Sequence, residues 1–419
     1  MKKSFFFISL LVFGFQVIGQ TATEVLPPNY IRTVSLSGTE NEPTNKTNPS
    51  IPLNSTLTLT FDDLIGDEAD YFYTIQHYNY NWEPSQLAKN EFLEGIDDVR
   101  IINYKNSYNT LQPYSHYKLQ IPNKYTKALK VSGNYMLSVY NENKELVFSR
   151  KFMVFEDKLP VAASIVRARN LNYIQTKQLV NFKIITKNFA IKRPEQTIKI
   201  LITQNDNLKT AIKNIKPQYT LGNELIYKYD LPTSFYGGNE YLKFDTKDLR
   251  GTNAAISHIS LDELYHHYLT LDLSRESTPY TYNPDINGNY IVRQLNAENS
   301  EIEAEYTWVH FQLKNYESIG KGKLHIYGAF NNFTIDESTT LYLNEETGFY
   351  ETARLFKQGY YDYKYVLVKE DNNIDEGFIS GNYDETENNY KILVYYRDIG
   401  GRYDQLIGIG AANSKNLRN

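Results

Sequence analysis

Cysteine is absent from this chain of 419 residues. Its absence removes disulfide frameworks, thiolate-ligated zinc, iron–sulfur clusters and thiol nucleophiles together. An excess of positive charge is also missing. The 44 Lys and Arg are outweighed by 49 Asp and Glu, for a net charge of −5. Non-specific nucleic-acid binding needs a cationic surface that displaces counterions, so that class is disfavoured. Beyond the N-terminus no apolar run approaches the ~20 residues of a membrane-spanning helix. Catalytic signatures are missing too: there is no Gly-x-Ser-x-Gly elbow, Walker A loop, dinucleotide glycine motif or His-Glu-x-x-His. No catalytic residue and no cofactor is therefore assigned.

What is abundant is aromatic. The chain has 37 Tyr and 21 Phe but only 2 Trp. Tyrosine suits strands and half-wet surfaces, so two readings stand: sandwich cores with cross-strand pairs, or an adhesive protein-binding face. A hydrophobic fraction of 41% with 22% charge fits a multi-domain globular protein rather than a disordered chain or a membrane bundle.

The first nineteen residues have the three parts of a secretory signal peptide. Lys2 and Lys3 precede an almost purely apolar stretch from Phe5 to Ile18, and Gly19 offers a small residue for cleavage. No lipidatable cysteine follows it. Export without cysteine points to a bacterial envelope and to cores stable without disulfides.

Beyond the signal peptide the pattern is all β, read as tandem immunoglobulin-like β-sandwich domains. Residues 21–55 form an extended lead-in with one short strand, Ile31 to Leu36. Strict alternation marks Thr56 to Phe61, and a hairpin is expected where Asn134 to Tyr140 and Leu146 to Phe155 flank a polar turn. Glu156 to Pro160 reads as a linker. Three domains are expected, at 20–157, 158–300 and 301–398, with a C-terminal tail at 399–419. The third shows turn signals every eight to twelve residues, the spacing of a sandwich. Leu261 to His267 is the one modest helix candidate.

Metal and acid–base candidates are few. His266 and His267, near His258, Asp262 and Glu263, are the one histidine cluster, but neighbours on a strand point to opposite faces. Asn283, Asp285, Asn287 and Gly288 match positions of a calcium loop without its first and last acids; Asp371, Asn373 and Asp375 match it less well. An ordinary turn explains both, so no metal ligand is assigned. Acidic pairs such as Asp62-Asp63 and Asp97-Asp98 read as solvated loops. The apolar, glycine-rich segment Gly400 to Gly410 reads either as a closing edge strand or as a docking tail. Tyr403, Leu406, Ile407 and Ile409 are its candidate partner-binding residues.

Several motifs in order carry a family resemblance. These are Asp285-Ile286-Asn287-Gly288, Gly328-Ala329-Phe330-Asn331-Asn332-Phe333, Tyr361-Asp362-Tyr363-Lys364-Tyr365, Tyr395-Tyr396-Arg397 and Gly401-Arg402-Tyr403-Asp404-Gln405-Leu406-Ile407-Gly408. Together, over essentially the whole chain after the signal peptide, they resemble the plug-protein family of the Bacteroidetes type IX secretion system. The resemblance implies a periplasmic, non-enzymatic subunit. Its implied partner is the outer-membrane translocon barrel (SprA), whose periplasmic mouth it would seal through protein contacts only. The third domain also looks like early-set sandwiches related to glycogen-binding modules, with Phe333 where tryptophan is common. A carbohydrate-binding protein is the alternative reading.

Overall fold

The computed structural model describes residues 21–38 and 47–417. The expected signal peptide, 1–19, lies outside the described residues. Strands dominate, and the alternating segments of the sequence form them. Ile31–Ser37, Leu57–Asp63, Ser115–Ile121 and Tyr104–Asn106 make one sheet in that spatial order. Ser50–Pro52, Leu146–Phe155, Gly133–Tyr140, Phe72–Tyr78 and Val99–Arg100 make a second. Every other residue of Leu57–Asp63 faces inward, so Leu57, Leu59 and Phe61 meet Tyr73, Ile75, Tyr135 and Leu137 in one core. Phe61 stacks on Tyr117 at 5.0 Å and meets Tyr71 edge-on at 5.2 Å.

The next sandwich is built from two distant parts of the chain. Val161–Arg167, Lys177–Ile185, Glu224–Tyr227 and Tyr219–Leu221 form one sheet. The opposing sheet runs Asn207–Lys213, Ile198–Gln204, Asn389–Tyr396, Gln405–Asn413. Ile198 pairs with Tyr396 and Gln204 with Tyr390 across almost two hundred residues. A linear division at 300 and 398 is therefore corrected: residues that close the second sandwich come after the third domain, which is inserted into it. The expected tail at 399–419 supplies the closing edge strand. The alternation of that sheet explains why its sequences look apolar throughout. Ile200, Ile202, Ile392 and Val394 face the second core, while Leu201, Leu393 and Tyr395 face the first domain.

The inserted domain has a single curled sheet. Its path is Leu242–Asp245, Gly359–Val368, Lys323–Tyr327, Thr340–Asn344, Phe349–Lys357, Tyr306–Lys314, Tyr265–Leu269 and Ile256–Leu261. All eight strands contribute to one core around Phe244, Phe311, Ile326 and Tyr363. Leu261 to His267 is not helical; it spans the turn of the hairpin that pairs Ile256 with Leu269. Turn residues Asp262 and Glu263 interrupt alternation there and mimic a helical spacing.

Candidate functional site: buried junctions between the domains

The polar residues that the fold buries collect where domains meet. Asp62, at the end of an alternating strand, leaves the first core and enters the inserted domain. Its Oδ2 accepts a hydrogen bond from Lys357 Nζ at 2.6 Å and from the Tyr306 hydroxyl at 2.7 Å. Its Oδ1 lies 2.6 Å from His116 Nδ1. The Lys357 and Asp62 side chains are 0% and 1% exposed. Burial pushes the Asp62 carboxyl up, but Lys357 and His116 outweigh it and hold it below the ordinary carboxylate range. Lys357 also donates to the Glu301 carbonyl at 2.6 Å and sits 4.1 Å from the Tyr114 ring centre. Glu305 accepts from the backbone amides of Leu111 and Gln112, and the Tyr114 hydroxyl donates to the Ala304 carbonyl at 2.9 Å. The solvated-loop reading of Asp62-Asp63 is corrected: both are buried.

A second junction joins the first and second domains. Tyr80 and Trp82 pack on Leu201, Leu393, Tyr395 and Leu406. The Tyr80 hydroxyl donates to the Ile200 carbonyl at 2.8 Å, and that of Tyr395 to Asn134 Oδ1 at 2.7 Å. Asp404 is clamped by the Arg397 fork at 2.9 and 2.8 Å and by Lys199 at 3.3 Å, and its Oδ2 accepts the Tyr80 amide at 3.0 Å. A cleft of about 520 Å³ lies between the second and inserted domains, lined by Asn207, Tyr236, Tyr241, Lys364 and Glu376 among others.

The proposed docking residues sit inside these junctions. Leu406 and Ile407 are fully buried. A bulge at Ile407 turns it into the second core, while Leu406 and Ile409 face the first domain. Tyr403 packs against the first core. Leu406 and Ile407 are thus covered by the chain itself in an edge strand, while Tyr403 and Ile409 stay partly exposed. Sequence reasoning missed His116 and Lys357; an isolated lysine in a strand carries no signal of the carboxylate it will meet.

The acids of both calcium-like loops make local bonds. Asp285 accepts the amides of Tyr241 and Asn287, and Asp362 accepts those of Ile286 and Gly288, at 2.6 and 3.1 Å. Asp371 accepts the Asn373 amide, and Asp375 pairs with Lys369 at 2.9 Å. Burial, then the neighbouring Asp285, pushes the Asp362 carboxyl up to about 7. Among the described residues no three His, Cys, Asp or Glu side chains are grouped to hold a metal. His267 is buried against Thr307 at 2.7 Å, whereas His266 faces His310 at 2.9 Å on the other side. The element that looks like a glycogen-binding module is covered: Phe333 is in the core and Asn332 receives Asn48 and donates to Glu24.

Of the 37 tyrosines, 17 are buried and seven are exposed. The buried ones outnumber the exposed ones, which favours the core reading over the adhesive face. The hydroxyls of Tyr114, Tyr306, Tyr327 and Tyr395 find partners across domain junctions, where an all-hydrocarbon side chain would leave polar groups orphaned.

The chain is thus a cysteine-free, three-domain all-β body tied together by polar interlocks. Residues 31–156 match the family described as Type 9 secretion system plug protein 1st domain. The chain belongs to that plug family. A solved structure, a hypothetical protein from Parabacteroides merdae ATCC 43184, is similar over 93% of this chain and 98% of its own, at 32% identity and a TM-score of 0.89. No curated protein matches the chain. Among the described residues no helix is long and apolar enough to cross a membrane.

Proposed function

We propose that this chain is a non-enzymatic periplasmic subunit of the type IX secretion system that binds the outer-membrane translocon barrel (SprA) and seals its periplasmic opening. The family match over 31–156 carries this reading. The junctions support it physically. A plug resists force without deforming, and buried ion pairs and tyrosine bonds tie the three domains into one body. A lasting seal buries at least a standard interface of about 1,600 Å². The covered Phe333 loop removes the observation that favoured carbohydrate binding.

The test is a pull-down from solubilised outer membranes, followed by conductance of the recovered barrel with and without the chain. Recovery of one very large barrel protein, whose conductance falls on adding the chain, supports the proposal. Retention on a glucan column with no barrel recovered refutes it.

A further inference from the structure

Three arginines meet where the first domain touches the inserted one. Arg32 lies on Ile31–Ser37, Arg150 on Leu146–Phe155 and Arg354 on Phe349–Lys357. Among the described residues, none of the three forms an ion pair. Arg150 is 4% exposed, and its guanidinium donates to the Ser149 carbonyl at 3.0 Å. Arg354 donates to the carbonyl and hydroxyl of Ser338 at 3.0 and 2.9 Å. Arg32 Nε is buried with no partner. Burial, then the proximity of Arg32, pushes Arg354 down to about 10. Like charges are thus gathered in a desolvated place, an arrangement that costs stability unless something neutralises it.

The space between them has a definite size. A cavity of about 100 Å³ is lined by all three arginines, by Thr334 and by Asp336. Thr334 is 8% exposed and its hydroxyl has no partner. The carboxylate of Asp336 is occupied by the amide and hydroxyl of Ser338. Three cations and one anion leave the lining with a charge of +2, and the Glu24 carboxylate acts on Arg150 from outside it. A buried water needs about 10–15 Å³ of such space, so there is room for several waters or one small polyatomic ion. That suits a tetrahedral oxyanion. Guanidinium forks match such oxygens in pairs, and a threonine hydroxyl adds a further donor.

We propose that Arg32, Arg150, Arg354 and Thr334 form a binding site for a phosphate-class oxyanion seated between the first and inserted domains. The anion offsets their mutual repulsion and cross-links two domains that Asp62 and Lys357 already join. The same chemistry is presented by free inorganic phosphate and by the phosphoryl group of a lipid headgroup. The site is independent of any role in secretion.

The experiment uses the full chain, purified without phosphate or sulfate. Thermal unfolding and calorimetric titration are run with sodium phosphate against sodium chloride at equal ionic strength. Phosphate is expected to bind once and to raise Tm saturably. At a hundredfold excess over Kd, linkage supplies about 2.7 kcal/mol, a shift of several degrees. Arg354→Gln and Arg32→Gln should each weaken phosphate at least tenfold, yet melt no lower than the parent in chloride, because each removes a repelling charge. That last readout separates a lost site from a damaged fold. Phosphatidylglycerol vesicles form the second arm; binding lost in both variants, with free phosphate inert, assigns the site to a lipid phosphoryl group. Phosphate acting no better than chloride with vesicles unbound, or variants that keep parental affinity, overturns the proposal.

Discussion

Replacing Lys357 by Met tests whether the Asp62 cluster holds the first and inserted domains together. The change keeps most of the side chain's volume and removes its charge. The Asp62 carboxylate, 1% exposed, is left with His116 and Tyr306 as its remaining partners. Removing one member of a fully buried pair costs about 3–5 kcal/mol, and the Glu301 carbonyl keeps only the longer bond from the Tyr114 hydroxyl at 3.4 Å. The double variant Asp62→Asn/Lys357→Met has no stranded charge and should recover at least ~2 kcal/mol of that loss as coupling. Acid dependence supplies the sign. Asp62 is held below its unfolded value, so its contribution is present above pH ~4 and is lost as pH falls through the lower folded value. The Met variant should lack that contribution at neutral pH and lose less on acidification. The assay is urea unfolding of the full chain with hydrogen exchange read at Leu57–Asp63 and Phe349–Lys357, one strand on each side of the junction. A single variant within about 1 kcal/mol of the parent, or a double variant as unstable as the sum of the singles, would refute the reasoning.

Asp362→Asn should stabilise the protein at pH 8 by a few kcal/mol, because a carboxyl raised to about 7 is ionised there at a cost to the fold. The gain should shrink as pH falls from 7 and vanish below about 4, where the carboxyl is protonated folded and unfolded alike; denaturation midpoints across pH check this. Leu393→Ala empties a fully buried position between the first two domains and should cost about 2–5 kcal/mol in urea unfolding. Deleting residues 405–417 should abolish amide protection in Ile198–Gln204 and Asn389–Tyr396 while leaving Gly133–Tyr140 protected. Equal protection in all three would show that Gln405–Asn413 is dispensable.

Individual strands were legible because alternation survives wherever one sheet face is wet or one core is near. Leu57–Asp63 and the hairpin ending at Phe155 read directly from period two. Their partners did not. Nothing local to Lys199-Ile200-Leu201 names Tyr395 as its neighbour, since hydrogen bonding between strands is chemically the same for every pair. The segment at Leu406 looked like a free apolar edge because both its faces are buried, a state that sequence cannot distinguish from an exposed adhesive strand. Asp62 read as a loop acid for the related reason that its cation arrives from a domain almost three hundred residues away. The family resemblance was legible through motif order alone, and Asp285 to Gly288 shows why: its residues serve backbone capping by Asp362, a local need that fixes spacing without chemistry.

The insertion of one domain within another also dictates an order of assembly. Joining Ile198 to Tyr396 through a flexible connection of that length costs about 5 kcal/mol in chain entropy. Once the inserted domain has folded, its two ends are neighbours: Asn388 Nδ2 donates to the Gly237 carbonyl at 2.8 Å. The long closure then becomes a short one. The middle of the chain thus waits for both the insert and the C-terminus, while the contiguous first domain does not. A molecule that reaches its folded second domain has, by topology, already proved that every later residue up to Asn413 was made and delivered.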